Sequence, residues 1–181
     1  MNPIIRREGE ALRDAAASRS LRQCLGHFAT GVAVATYETA DHDPKGLTVN
    51  SFTSVSLDPP LILLCLSKRS KAIDLLPKTS FAVNVLGADQ RHLAWHFAGR
   101  PSDAVPAFRR MAGVPLLDRS LAWMICAPWA NHDAGDHLIL VGRVLEFGVN
   151  QQDPLCFYRG EFTGVAPFVA ADPRGHKETT P

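Results

Sequence analysis

The chain has 181 residues, 46% of them hydrophobic, which suffices for one well-buried core and is short for two. Its formal net charge is +1 with 20% charged residues, so the basic excess that phosphate-backbone binding requires is missing and nucleic acid is not an expected partner. The opening residues carry charges throughout and no later segment reaches the roughly 18 apolar residues of a membrane span, which predicts a cytoplasmic protein with no membrane contact.

In chain order, Leu12, Ala15, Ala16, Leu21, Leu25 and Phe28 recur at helical spacing. They predict a helix over residues 8–27, broken near the serines at 18–20, with residues 1–20 as a loosely held arm. Gly31 ends the pattern, and residues 32–37 form a β-branched apolar run that reads as a strand. A polar turn over 39–46 leads to a predicted strand over 47–57. Val49, Ser51, Thr53, Val55 and Leu57 share one of its faces, and Asn50, Phe52, Ser54 and Ser56 the other. Asp58, Pro59 and Pro60 stop it, because successive prolines donate nothing to a ladder. Residues 61–66 are continuously apolar, the pattern of a strand covered on both faces, so 47–57 and 61–66 are expected to be paired central strands.

Residues 67–76 change to helical spacing, 81–86 return to a strand, and 89–97 offer Leu93 and Phe97 to one face of a second short helix. Residues 101–114 are polar, contain proline and lack periodicity, which predicts a long surface excursion over one end of the fold. Strands are expected over 121–129, 137–147 and 155–162, and a mobile tail over 166–181. About seven strands with a few short helices make a mainly β fold, a closed antiparallel barrel of Greek-key type. The domain is expected to span residues 21–165.

The four cysteines, Cys24, Cys65, Cys126 and Cys156, form no C-x-x-C pair and sit among apolar neighbours. They are expected to be buried small hydrophobes in a reducing compartment. No G-x-G-x-x-G lies between a strand and a helix, and no P-loop or G-x-S-x-G elbow is present, so the common nucleotide and hydrolase frameworks have no anchor. What stands out instead is the dense run of hydroxyl and amide side chains Thr48, Asn50, Ser51, Thr53, Ser54 and Ser56. Polar groups in a core strand need partners, and the edge of a flat heterocycle with alternating donors and acceptors supplies them. The plainer reading, a half-exposed sheet facing water, is equally consistent with these residues.

Two histidine groupings also invite a metal: His132, Asp133, Asp136 and His137, and the helical pair His92 and His96. Both lack further ligands at fixed spacing, and ordinary roles outweigh a metal. Trp95, Trp123 and Trp129 are expected in the core or at a subunit interface, since no basic residues interleave with them in sequence.

Taken together, PheAlaThrGlyValAlaValAlaThr at 28–36, GlyLeuThrValAsnSerPheThrSerValSerLeuAspProPro at 46–60, PheAlaValAsnValLeu at 81–86, GlyAspHis at 135–137 and TyrArgGly at 158–160 resemble the flavin reductase family with the FMN-binding split barrel. The long second motif is the specific one. The resemblance implies a homodimer that reduces FMN or FAD with NADH or NADPH and passes reduced flavin, by diffusion, to a separate monooxygenase. By position it implies that Lys45, Gly46, Leu47, Thr48, Asn50 and Ser51 line the flavin ring system and that Cys65, Leu66 and Ser67 run beside it. Ser70, Lys71 and Ala72 correspond to the phosphate-binding turn.

His96 and Phe97 match a further flavin-contacting pair. An arginine stands at the first of these positions in many relatives, and a serine or threonine at the position of Ala72. Both departures weaken polar anchoring, which suits a flavin that leaves. His137, the expected catalytic residue, would hydrogen-bond nicotinamide or flavin, with Asp136 fixing its tautomer. Two rival readings share the barrel: an oxidase or oxygenase that retains its flavin, and a non-enzymatic flavin- or haem-binding module.

Overall fold

The computed structural model describes residues 15–100 and 105–166. The predicted arm before residue 15, the tail from residue 167 and part of the 101–114 excursion lie outside the described residues.

Helix α1, Ala15–Leu25, is followed by strands β1, Thr30–Gly31, β2, Ala33–Glu38, β3, Pro44–Val49, β4, Thr53–Leu57, and β5, Pro60–Ser67. Two 3-10 turns, Lys71–Asp74 and Leu76–Lys78, lead to β6, Phe81–Val85. A third, Ala88–Gln90, opens helix α2, Arg91–Phe97. Then come β7, Phe108–Met111, β8, Val114–Leu117, β9, Ala122–Ala134, β10, His137–Val149, β11, Cys156–Tyr158, and β12, Glu161–Thr163. Among the described residues no helix is long and apolar enough to cross a membrane.

The fold is mainly β. Its main sheet is antiparallel throughout, in the order β3-β2-β6-β9-β10-β5-β4. The two outermost strands are consecutive in sequence, and no ladder joins them. Alternation along β2 sends Ala33, Ala35 and Tyr37 into a core with Leu64, Leu66, Phe81, Cys126 and Leu140. The intervening Val32 and Val34 pack against Leu93 and Ala94 of the second helix, Leu117 and Leu155. Burial pushes the Cys126 thiol up to about 12, so this cysteine is an inert hydrophobe.

Several expectations change. The strand predicted over 47–57 is two strands, and residues 50–52 carry the chain from one edge of the sheet to the other. β4 is therefore an edge strand, with Leu57 93% exposed. The polar turn is shorter than predicted because β3 begins at Pro44. β5 alternates, burying Ile62, Leu64 and Leu66 while Leu63 and Cys65 stay half-buried, so only one of its faces is fully covered. Helix α1 runs unbroken through 18–20, and the helical spacing at 67–76 folds as 3-10 turns because Pro77 interrupts it. Cys24 is exposed, against expectation, while Cys65 and Cys156 are half-buried.

The 101–114 segment is no simple excursion: β7 and β8 form a hairpin whose Val114, Leu116 and Leu117 are buried. A polar knot docks it. Asn84 Nδ2 donates to Val34 O at 3.0 Å and to Thr36 Oγ1 at 2.9 Å, while its Oδ1 accepts from Leu117 N at 2.9 Å. Thr36 Oγ1 donates in turn to Pro115 O at 2.5 Å. The segment 155–162 is likewise a hairpin, turning at Arg159 and Gly160 with φ of 52° and 88°, the pair of left-handed residues a two-residue hairpin turn requires.

Candidate functional site

The first wall of the site is β3 with α2 laid across it. Thr48 Oγ1 donates to Ala94 O at 2.8 Å, fixing the helix to the strand. Phe97 lies so close over Gly46 that a Cβ there would stand 2.5 Å from the ring, which explains glycine at this position. Phe97 also meets His96 edge-on, with ring centroids 4.9 Å apart. His96 Nδ1 is buried and has no hydrogen-bond partner among the described residues. Leu47 packs partly against the core, and Asn50 is exposed. Lys45 pairs with Asp43 at 2.5 Å, at the opposite end of β3 from Ser51 and about 20 Å along the chain from it.

The second wall is the C-terminal end of β5. Ser51 Oγ donates to Cys65 O at 3.2 Å and accepts from Cys65 N at 3.0 Å, so one hydroxyl stitches the β3–β4 connection to β5. Leu66 is fully buried in the core and offers only its backbone to a ligand, whereas Ser67 is half-buried. Past it the chain tightens: Arg69 N donates to Ser67 Oγ at 3.3 Å, and Ala72 N to Ser70 Oγ at 3.2 Å. Ser70 thereby caps the 3-10 turn that Lys71 begins. Lys71 is exposed and forms no ion pair among the described residues. The Ala72 methyl belongs to the core, so a small apolar side chain there serves packing.

The third element is the β9–β10 turn. Gly135, at φ 67°, lets the strands reverse, and His137 falls opposite Ser67 in the register of β10 with β5. Lys68 N donates to Asp136 O at 3.0 Å, and Lys68 Nζ to Asp133 Oδ2 at 2.6 Å, tying this turn to the start of the 67–72 segment. His137 Nδ1 donates to Asp136 Oδ1 at 2.7 Å. The bond from His137 holds the Asp136 carboxyl below the usual carboxylate range, and the bond from Lys68 does the same to Asp133. With Nδ1 committed, Nε2 is the ring nitrogen left for a ligand.

Ser51, Cys65, Ser67, Ser70, Lys71, Ala72, Asp136 and His137 thus gather around the end of β5, and Gly46, Thr48, His96 and Phe97 around α2. Asn50 links the two groups. Beside it opens a cavity of about 360 Å³ lined by Thr48, Asn50, Trp95 and Arg100, with the Arg100 guanidinium 4.6 Å from the Trp95 ring centre. Trp95 meets Phe162 edge-on at 4.9 Å. Arg109 and Arg143 lie over Trp123 and Trp129, so basic residues reach all three tryptophans, those at Trp123 and Trp129 from distant stretches of the sequence. Trp129 is 53% exposed and no core residue. Asp133 and Asp136 are engaged by Lys68 and His137, and among the described residues no cluster of three or more His, Cys, Asp or Glu is arranged to hold a metal.

Sequence reasoning missed Lys68 and weighed Asp133 only as a metal ligand; their pairing depends on a register no local pattern carries. It also missed Arg100, which follows Gly99, at φ 86°, donates its N–H back to Trp95 O at 3.0 Å and lines the cavity.

Known proteins resemble this chain in sequence and fold. The model for the flavin reductase like domain matches residues 25–166. An FMN reductase (NADH), SmoA, from Agrobacterium fabrum is 47% identical over 148 residues, covering 80% of this chain and 84% of its own length. An NADH-dependent flavin reductase from a Rhodococcus species is 41% identical over 161 residues, covering 86% of this chain and 90% of its own. The solved styrene monooxygenase flavin reductase from Pseudomonas putida superposes with a TM-score of 0.76 at 36% identity, covering 82% of this chain and 98% of that one. The matched family therefore runs across α1's end, the whole sheet and both walls of the site, and this chain belongs to the flavin reductase family.

Proposed function

We propose that this chain is an NADH-dependent flavin reductase that reduces FMN or FAD and releases it to a separate flavin-dependent monooxygenase. The observation that carries this reading is the convergence, at one end of β5, of Ser51, Ser67, the Ser70–Lys71 turn and His137. The similar proteins named as NADH-dependent reductases support the donor, and the styrene monooxygenase reductase supports the partner.

The residues suit a flavin. Lys45, Gly46, Leu47, Thr48, Asn50 and Ser51 are the proposed wall for its ring system, with Cys65, Leu66 and Ser67 beside it and Ser70, Lys71 and Ala72 toward its phosphate. The Nδ1 of His96 and the ammonium of Lys71, neither with a partner among the described residues, are groups whose hydrogen-bonding and charge a polar anion would complete. Bound flavin would supply the hydride acceptor and the nicotinamide the hydride, a transfer that would need no protein acid or base. What the chain contributes is alignment and exclusion of water. His137, held by Asp136, presents Nε2 to the nicotinamide or flavin edge, while Lys68 pins the turn that carries it. Phe97 packs on Gly46 and closes the wall from the α2 side.

The proposal extends to a closed split barrel over residues 21–165, in which the Ser51 hydroxyl, by its bonds to Cys65 of β5, helps to bridge the gap that no ladder closes between the edge strands β3 and β4. It extends also to a homodimer. Val55, Leu57, Trp129, Leu145, Phe147 and Val149 are large apolar side chains 48–93% exposed on β4, β9 and β10, surface that a second copy of the chain would cover. A reaction fed by NADH fits a cytoplasmic enzyme. The test is to mix the purified chain with NADH, NADPH and free FMN or FAD and follow absorbance at the nicotinamide band. Flavin-dependent oxidation of NADH is expected, and no oxidation with any combination refutes the proposal.

A further inference from the structure

Of the TyrArgGly motif at 158–160, only Gly160 reaches the cavity beside Thr48 and Asn50. The motif forms the β11–β12 turn, and that turn lies against the end of α1, where Arg159 N donates to Gly26 O at 2.8 Å. Between them is a cavity of about 600 Å³, lined by Arg19, Arg22, His27, Arg159, Phe157 and Gly160 among others. Arg19 and Arg22 stand one helical turn apart on the same face, and the hairpin turn brings in Arg159 from the other side. None of the three guanidiniums forms an ion pair among the described residues, and no described carboxylate lines the cavity. His27 Nδ1 is committed to Gln23 O at 2.8 Å, and its ring meets Tyr158 edge-on.

Three cations around one concavity, with no compensating carboxylate among the described residues, repel one another, and a polyanion relieves that repulsion. Guanidinium forks match phosphate oxygens in pairs, and Phe157 adds an apolar wall for a ring. This cavity shares Phe157 and Gly160 with the smaller one that Thr48 and Asn50 line, so the two open beside each other.

We propose that the Arg19–Arg22–Arg159 cavity is a subsite for the adenosine diphosphate half of a dinucleotide whose other half works at the flavin wall. The inference rests on the reductase reading for that second half only. FAD and NADH both carry this group, and FMN does not.

The test titrates the full chain with ADP, FMN and FAD and measures KM for NADH, for the wild type and for the triple variant Arg19→Gln, Arg22→Gln, Arg159→Gln. ADP binding is expected to weaken by at least about tenfold in the variant while FMN affinity holds. Weaker FAD binding with KM for NADH unchanged assigns the subsite to FAD; a raised KM for NADH with FAD affinity unchanged assigns it to the nicotinamide dinucleotide. A second triple variant with lysine at the same positions keeps the charge and is expected to retain ADP binding. The proposal is overturned if ADP, FAD and NADH are all indifferent to the glutamine variant, if FMN weakens as much as they do, or if the lysine variant loses ADP equally. A wild-type chain that binds ADP at these arginines yet oxidises no NADH defeats the reductase reading and leaves the subsite standing.

Discussion

β3 and β4 come from one stretch of sequence with one composition, yet they live in different surroundings. β3 is covered: α2 crosses it, Thr48 is bonded to the helix backbone, and Phe97 sits on Gly46. β4 is an edge whose Val55 and Leu57 face outward. The hydroxyls that look alike in sequence therefore differ in duty. Those of Thr48 and Ser51 hold the site's frame, whereas the Thr53 hydroxyl reaches only the neighbouring Ser54 carbonyl, at 3.5 Å. The lesson is that a polar strand becomes a binding wall only where another element covers it and fixes its donors.

Substitutions on the two sides break this comparison in graded fashion. The largest expected effect is at Gly46→Val, where the added carbons collide with Phe97 and Val34; a loss of about 1–3 kcal/mol in urea unfolding is expected, with weaker flavin binding. Ser51→Ala removes both bonds to Cys65 and is expected to cost about 1–2 kcal/mol, read from the same unfolding midpoints. Thr48→Val keeps the shape and loses one bond, for about 1 kcal/mol. On the β4 side, Val55→Lys with Leu57→Lys is expected to leave each chain's stability within about 0.5 kcal/mol while sedimentation shifts toward the monomer.

The smallest effect concerns pH. The Asp133 and Asp136 carboxyls lie below their ordinary value of 3.8 in the folded chain. Their pairs therefore stabilise the fold fully above that value, and the contribution disappears as pH falls through the lower folded values. Both groups are exposed, so the change is modest. Asp133→Asn is expected to flatten the fall of stability between neutral and acid solution, seen by comparing unfolding midpoints at the two pH values.

Much of the fold was legible because it rests on local signals. The apolar run at 81–86, the α2 face carrying Leu93 and the prolines after Leu57 each mark an element the structure contains. The failures share a cause: they depend on partners far away in sequence. Nothing in residues 47–57 announces that Ser51 will bond Cys65 and split the strand. The β7–β8 hairpin was hidden because Asn84, which docks it, reads locally as one polar residue in an apolar strand. Positive φ at Arg159 and Arg119 sits on residues that carry no turn signal. At the site, His137 and Ser67 were each legible by family resemblance, but the ladder that sets them opposite one another, and the Lys68 bonds that pin it, exist only in three dimensions.

The central claim is that the β9–β10 turn serves hydride transfer while the β3 wall and the Ser70–Lys71 turn hold the flavin. The direct measurement is His137→Ala, assayed for NADH oxidation and for flavin affinity by fluorescence quenching. The account predicts turnover slowed by about 10–100-fold with flavin affinity within about twofold of the wild type. Unchanged turnover, or loss of flavin binding in parallel with activity, would contradict it.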